Sequence, residues 1–152
     1  GLPGHDRDIA RTPMQWDAGP HAGFSAVEPW LPIVPGHESL NVAVEAADPR
    51  SMLTLHRRLI ALRRARPALS IGDVTVLTGA ADVLAFLRGH GEERVLVALN
   101  LSHAPREVDL PEAIGGRIAL ATGLDRDGET VGGRLRLAVD EGVVIDLPAD
   151  AL

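Results

Sequence analysis

The chain has 152 residues, of which 45% are hydrophobic and 24% charged, and its formal net charge is −6. An acidic chain lacks the dense basic surface that nucleic acid requires, and a chain without cysteine has no disulfide framework, thiolate metal site or cysteine nucleophile. No apolar stretch reaches the roughly 20 residues of a membrane-spanning helix, so the composition is typical of one globular domain, or of a small domain with part of another.

Residues 1–47 are predicted to form a long ordered loop. Proline removes a backbone donor and disfavours helical geometry at the residue before it. Prolines recur throughout this stretch, at Pro3, Pro13, Pro20, Pro29, Pro32 and Pro35. Irregular segments of this length in compact domains are usually functional, and packing must hold them in place. We therefore expect apolar side chains of the loop, such as Met14, to be buried.

Residues 48–66 are predicted to form a helix. Asp48 can cap it and Pro49 suits its first turn, whereas Pro67 prevents its continuation beyond Arg66. Apolar residues recur at three- and four-residue spacing, at Met52, Leu55, Leu59 and Leu62. Arginines gather on the same helix, at Arg57, Arg58, Arg63, Arg64 and Arg66. We interpret these arginines as a solvated face, with a phosphate or partner site as the alternative.

After Ser70 the pattern changes to short strands separated by turn residues. Strands are predicted at 74–77, 83–88, 94–100, 106–110, 118–120, 134–139 and 143–147. The turn signals between them are Gly79, Gly89-His90-Gly91, Gly115-Gly116, Asp127-Gly128 and Gly132-Gly133. Residues 95–99 are apolar throughout, which indicates a central strand. Strands at this spacing, without helices between them, predict an antiparallel β-sandwich.

The two parts of the chain differ in whether they can fold alone. A sandwich from about Ser70 onward can bury its own core, but one helix and a long loop cannot. We therefore expect residues 1–66 to be the end of another domain, whose earlier part packs against them. The glycine at position 1 indicates a processed or truncated product.

The first third of the chain carries an unusual series of short motifs. They are RDIARTPMQWD at 7–17, AGFS at 22–25, EPWLP at 28–32, LNV at 40–42 and DPRSML at 48–53. This series closely resembles the C-terminal part of the oligo-1,6-glucosidase-like α-glucosidases, which belong to the α-amylase family of glycoside hydrolases. Beyond residue 65 or so, the resemblance extends only to the all-β character of the C-terminal domain.

The resemblance implies a mixed fold. Residues 1–47 would be the last βα loop of a (β/α)8 barrel and residues 48–66 its last helix, so that residues 1–69 end the catalytic domain. Residues 70–152 would form the antiparallel β-sandwich that follows it. Active sites of such barrels lie in the loops at the carboxyl ends of the strands, so we expect the opening loop to face substrate.

The resemblance also implies an activity: the retaining release of glucose from the non-reducing end of short α-linked oligosaccharides, without a cofactor. Retention needs two carboxyl groups about 5 to 5.5 Å apart, and the family's catalytic carboxylates lie upstream of this segment. Asp6, Asp8 and Asp17 have no partner acid at a recognisable spacing. We therefore expect no catalytic residue in this chain, which alone would be inactive without an N-terminal barrel.

Arg7 and Arg11 are the predicted substrate-binding residues. In the family, arginines at the matching positions lie beside the subsite for the non-reducing glucose, and one pairs with an acidic residue of an earlier loop. The resemblance assigns the paired role to Arg7 and a pocket-lining role to Arg11. An arginine presents a fixed fork of donors, which suits carboxylates and sugar hydroxyls. The alternative is that both only pin the loop by binding backbone carbonyls.

Three other groups of residues are interpreted structurally. Aromatic faces can stack on a glucose ring, but we expect Trp16, Phe24 and Trp30 to bury the loop instead. The six histidines show no metal-ligand spacing, and His90 between glycines indicates a hairpin turn. The acidic segment 125–129 has some features of a calcium loop but lacks the other ligands, which favours a turn between strands.

Two alternatives to the hydrolase interpretation stay open. A trehalose synthase or sucrose isomerase shares the loop motif but transfers glucose within the substrate. A freestanding sugar-binding or interaction module would be non-catalytic. We further expect a cytoplasmic location, because the chain has no cysteine and no signal-peptide pattern, and self-association through the exposed apolar face of the helix.

Overall fold

The computed structural model describes residues 9–77, 81–110 and 114–151. Its contacts separate two compact units, Gly1–Thr54 and Leu55–Leu152. These units are defined by contacts within the chain, and the domain boundary at 69/70 stays a prediction. Over the described ranges, no helix has both the length and the apolar character that spanning a bilayer requires.

The first unit contains the short 3-10 helices Ile9–Arg11 and Pro20–Gly23 and the α-helix α1 (Val42–Ala47). The last of these lies inside the predicted loop, so the prediction is wrong for residues 42–47. Asn41 explains the difference, because its side-chain oxygen accepts a hydrogen bond from the Val44 N–H at 2.9 Å and so caps the helix. A helix of six residues is too short to show an apolar period in the sequence.

The helix α2 (Met52–Ala65) forms as predicted but begins later. Ser51 caps it, because its hydroxyl accepts a hydrogen bond from the Thr54 N–H at 3.1 Å. Asp48, the predicted cap, instead accepts a hydrogen bond from the Arg50 N–H at 2.8 Å. Its carboxylate therefore closes the turn before the helix. The pair Asp48-Pro49 thus forms a turn and does not start the helix.

The end of α2 agrees with the prediction, since the backbone of Arg66 is extended and Pro67 is the first residue of the next helix, α3 (Pro67–Ile71). Proline is tolerated there because the first helical turn needs no donor from it. Two of the arginines predicted to be solvated instead bind the second unit's sheet region. Arg58 forms an ion pair with Asp127, and Arg66 donates to Asp146 at 2.6 Å.

From Asp73 onward the second unit is built on antiparallel strands, which confirms the all-β architecture predicted for the part of the chain after Ser70. The strands are β1 (Asp73–Leu77), β2 (Val83–His90), β3 (Glu93–Asn100), β4 (Arg106–Asp109), β5 (Gly115–Ala121), β6 (Thr130–Gly132), β7 (Arg134–Leu137) and β8 (Gly142–Leu147). They are hydrogen-bonded in the order β1-β2-β3-β8-β5-β6-β7-β4. β6 was not predicted, because a strand of three residues is too short to show an alternating pattern.

β3 lies at the centre of this arrangement, as its apolar sequence predicted. Its residue Leu96 is opposite Leu87 of β2 and Ile145 of β8, and it is fully buried. The buried core contains Ala85, Leu87, Leu96, Ala98, Val108, Leu110, Ile114, Ile118, Ala121, Val131, Leu135, Leu137, Val143 and Ile145. All of these belong to the second unit, so it has a core of its own.

Two predicted turns are wrong. Gly115 and Gly116 belong to β5, and Gly116 is required by close approach, because a Cβ there would lie 2.2 Å from the Asp146 carbonyl oxygen. His90 is the last residue of β2 and pairs with Glu93. The hairpin turn is therefore two residues long and starts at Gly91, whose φ of 56° suits such a turn.

Candidate functional site

The predicted substrate-binding residues, Arg7 and Arg11, belong to the start of the first unit. Arg7 lies outside the described residues, as do Asp6 and Asp8. Arg11 is described: it is the last residue of the 3-10 helix Ile9–Arg11 and its side chain is exposed. The structure therefore tests neither the pairing of Arg7 with a carboxylate nor the placement of the two arginines together, and both stay predictions.

Residues 16–24, which follow this helix, form a tight loop around a buried alanine. The N–H groups of Trp16 and Asp17 both donate to the Ala22 carbonyl, at 2.8 and 3.3 Å, and Ala22 is fully buried. His21 and Ala22 have φ values of 53° and 55°. Left-handed geometry costs a non-glycine residue about 1 kcal/mol or more, so the surrounding hydrogen bonds hold this loop in a strained shape.

Asp17 organises the same loop through its carboxylate. One oxygen accepts a hydrogen bond from the Gly19 N–H at 2.8 Å. Gly23 has a φ of 65°, and a Cβ there would lie 2.5 Å from the other oxygen. The carboxylate thus lies against the backbone at Gly19 and Gly23, which gives Asp17 a structural role in shaping the loop.

The loop is tied to α1 by backbone hydrogen bonds. The Val42 N–H donates to the Gln15 carbonyl and the Ala43 N–H to the Trp16 carbonyl, both at 3.0 Å. Free N–H groups in the first turn of a helix need such acceptors. Asn41 adds a bond from its side-chain amide to the His37 carbonyl at 2.7 Å. Polar contacts over residues 15–43 therefore position the loop.

The aromatic side chains of the loop are exposed, which corrects the expectation that they are buried anchors. The exposed fractions are 50% for Trp16 and Phe24 and 87% for Trp30. Met14, which was also expected to be buried, is 50% exposed. The reason is that the described part of this unit has no sheet and no long helix to receive the rings, and polar bonds hold the loop instead. Their apolar faces are open to contact with a sugar or with further protein.

The acidic segment 125–129 is a turn, in agreement with the favoured interpretation. It connects β5 to β6 and ends in Glu129, whose carboxylate receives two hydrogen bonds from Arg126 at 2.7 and 2.8 Å. Arg126 also donates to the buried Glu141, at 2.9 and 3.0 Å. Over the ranges that the structure describes, no group of three potential metal ligands is found.

This ion network lines an open cleft of about 700 Å³ in the second unit. The hydrogen bond from Arg126 lowers the pKa of Glu129, and Glu129 in turn raises the pKa of Arg126. Glu141 receives a further hydrogen bond from the Ala138 N–H at 2.7 Å. Arg126 thus binds two carboxylates at once, and the network joins the 125–129 turn to Glu141 as a structural contact.

Comparison with protein families gives two matches that together span most of the chain. Residues 2–72 match the family described as alpha amylase, catalytic domain. Residues 75–141 match the family described as maltogenic amylase, C-terminal domain. The first match contains the loop and helix described above, and the second contains most of the strands.

Two similar proteins are named as glucosidases. The chain is 43% identical over 105 residues to a probable α-glucosidase of Rhizobium meliloti (strain 1021), which is 69% of this chain and 19% of that protein. It is 35% identical over 109 residues to an oligo-1,6-glucosidase of Parageobacillus thermoglucosidasius, 71% of this chain and 19% of that protein. The chain thus spans about a fifth of the length of these relatives.

A solved structure shows the same architecture. The trehalulose synthase MutB from Pseudomonas mesoacidophila MX-45 matches with a TM-score of 0.82 and 32% identity, over 93% of this chain and 26% of that protein. The agreement covers both the opening loop and the strands that follow. The chain belongs to the α-amylase family, of which it carries the end of the catalytic domain and the C-terminal domain.

Proposed function

We propose that this chain is the closing part of a retaining α-glucosidase that releases glucose from the non-reducing end of short α-linked oligosaccharides. The observation that carries the proposal is the match of residues 2–72 to the α-amylase catalytic domain. The names of the relatives, α-glucosidase and oligo-1,6-glucosidase, support the substrate class. In this proposal the catalytic carboxylates come from a preceding barrel, and the chain alone is inactive.

The contribution of the chain to this activity is positioning. Arg7 and Arg11 would hold the terminal glucose or a carboxylate beside it, and the exposure of Arg11 is consistent with that role. The exposed rings of Trp16 and Phe24 offer apolar faces for the sugar or for the preceding barrel. The strained loop between them, held by Asp17, would fix these side chains before substrate arrives.

The activity can be tested on the full-length gene product that contains this segment. With maltose, isomaltose and sucrose as substrates, we expect glucose release and no rearranged disaccharide, and we expect no turnover by residues 1–152 alone. Trehalose or isomaltulose as the main product would instead show an isomerase. That second candidate rests on the likeness to the trehalulose synthase structure.

The role of Arg11 can be tested in the same full-length protein. Arg11→Ala should lower kcat/KM by roughly 10- to 100-fold, the effect of losing a charged hydrogen bond. Arg57→Ala is the matched control, because that arginine is exposed on α2 and outside the loop. Equal kinetics for the two variants would show that Arg11 does not contact substrate.

The remaining proposals concern location and association. We propose a cytoplasmic enzyme, on the evidence of a chain without cysteine. A non-catalytic sugar-binding module would be indicated by clear isomaltose binding to the 152-residue chain in calorimetry. The exposed apolar face of α2 is one candidate surface for self-association, since Met52, Leu59 and Ile60 are 58%, 37% and 50% exposed. The lysine variants described below distinguish it from the edge of the sheet.

A further inference from the structure

The two edge strands of the sheet differ in how they are protected. β4 ends the strand order at one side and carries Arg106, Glu107 and Asp109. Its acidic residues form ion pairs with Arg134 and Arg136 of β7. Charges on an edge strand discourage pairing with another chain, so the charged residues of β4 protect this edge of the sheet.

β1, the edge strand at the other side, has no such protection. Its sequence is Asp-Val-Thr-Val-Leu, with a single charge at the first position. Val74 and Val76 are 56% and 63% exposed, and Thr75 is exposed between them. Among the described residues, β2 is the only strand that pairs with β1. An exposed, β-branched edge strand presents unpaired backbone groups to a further strand.

We propose that β1 is a contact surface at which two copies of this chain associate, by antiparallel pairing about a two-fold axis at Thr75. In this register Thr75 lies opposite Thr75 of the partner copy. Val74 lies opposite Val76 of the partner copy, and Asp73 lies opposite Leu77 of the partner copy. The proposal does not depend on the enzymatic activity proposed above.

The strand is suited to a second copy because this register makes it self-complementary. Threonine pairs and valine pairs directly opposite each other stabilise antiparallel sheets, and like charges opposite each other destabilise them. No two charges face each other here, since the only charged residue, Asp73, meets a leucine. Val74 and Val76 share one face, so the two copies would bring four valines together.

The contact is small, so we expect it to be reversible. Five residues at about 3.3 Å each give an edge of roughly 16 Å, and interfaces of this size are typical of weak association. Sedimentation velocity of the 152-residue chain should show a concentration-dependent rise from the mass of one copy to that of two. A single copy at every concentration would overturn the proposal.

Two lysine variants locate the contact. Val76→Lys should leave a single copy at every concentration, because a lysine on the edge opposes pairing, with an unchanged far-UV circular dichroism spectrum. Ile60→Lys is the control, since Ile60 is an exposed apolar residue of α2, and it should still associate. The opposite pattern would place self-association on the helix and overturn the edge contact.

Cross-linking tests the register without relying on affinity. The chain has no cysteine, so a single introduced cysteine can form a disulfide only with another copy. Thr75→Cys should cross-link rapidly under mild oxidation, because opposite residues in an antiparallel pair lie within disulfide range. Val74→Cys is the control, since the two Val74 positions would be about 8 Å apart. Equal rates for both variants would overturn the register.

Discussion

Single carboxylates in this chain act mainly through the hydrogen bonds that they accept. Asp17 shapes the opening loop by accepting from the Gly19 N–H. Glu141 is only 7% exposed and binds both Arg126 and the Ala138 N–H. The role of Glu141 does not show in the sequence, because Arg126 is 15 residues away along the chain and only the fold brings the two together.

Glu141→Ala should destabilise the chain by about 3 kcal/mol, because it leaves the Ala138 N–H without an acceptor and Arg126 with one carboxylate instead of two. Urea unfolding measures this loss. The matched control is Glu107→Ala, whose exposed ion pairs with Arg134 and Arg136 contribute less than about 1 kcal/mol. Equal losses in the two variants would contradict the importance of burial.

Glu129 should make stability depend on pH in the acid range. The hydrogen bond from Arg126 lowers its folded-state pKa below the ordinary value of 4.5. The stabilisation is therefore fully present above pH 4.5 and is lost as the pH falls through the lower folded-state pKa. Because Glu129 is half exposed, the effect is at most about 1 kcal/mol.

The measurement is the melting temperature of the chain and of Glu129→Gln. We expect the native chain to be the more stable at pH 7 and the difference to shrink as the pH is lowered through the acid range. A difference that grew towards acid pH would show that Arg126 does not favour the ionised form of Glu129.

At the scale of elements, two glycines that look alike in the sequence have different functions. Gly116 lies in β5 against the backbone of β8, where a Cβ would be 2.2 Å from the Asp146 carbonyl oxygen. Gly132 ends β6 and has open space around the same position. The close pairing of β5 with β8 therefore depends on the first glycine and not on the second.

Gly116→Ala should be severely destabilising, by about 3 kcal/mol or more, because a backbone carbonyl must move to admit the methyl group. Gly132→Ala should change stability by less than about 0.5 kcal/mol. Chemical denaturation of both variants provides the comparison. Tolerance of alanine at position 116 would mean that β5 and β8 lie farther apart than described.

At the scale of the whole molecule, burial is uneven between the two units. The core cluster belongs entirely to Leu55–Leu152, whereas the buried apolar residues of the first unit, among those described, are Pro13 and Ala22. Burial of apolar surface is the main source of folding stability. The first unit instead relies on caps and backbone bonds such as those of Asn41.

Native-state hydrogen exchange of the 152-residue chain should reflect this difference. Amides of β3 and β8 should exchange only through global unfolding, whereas those of α1 should exchange through local opening at a much lower free energy. The expected protection factors differ by more than about tenfold. Comparable protection in α1 and β3 would contradict the proposed dependence on burial.

The sequence by itself determined the family and most of the second unit. The motifs at 7–17 and 48–53 led to the α-amylase family, and the apolar segment 95–99 predicted the central strand correctly. These features are local: a proline, a helix-forming stretch or a run of β-branched residues acts through its immediate neighbours. Local patterns also placed the end of α2 at Pro67.

Only the tertiary structure decided which distant residues meet. It brought Asp146 against Gly116 and Arg66, and it left Trp30 exposed where packing was expected. The strand order, with β8 between β3 and β5, is likewise absent from the local pattern. The physical reason is that burial and close approach depend on neighbours in space, and these are set only when the strands pair and the core closes.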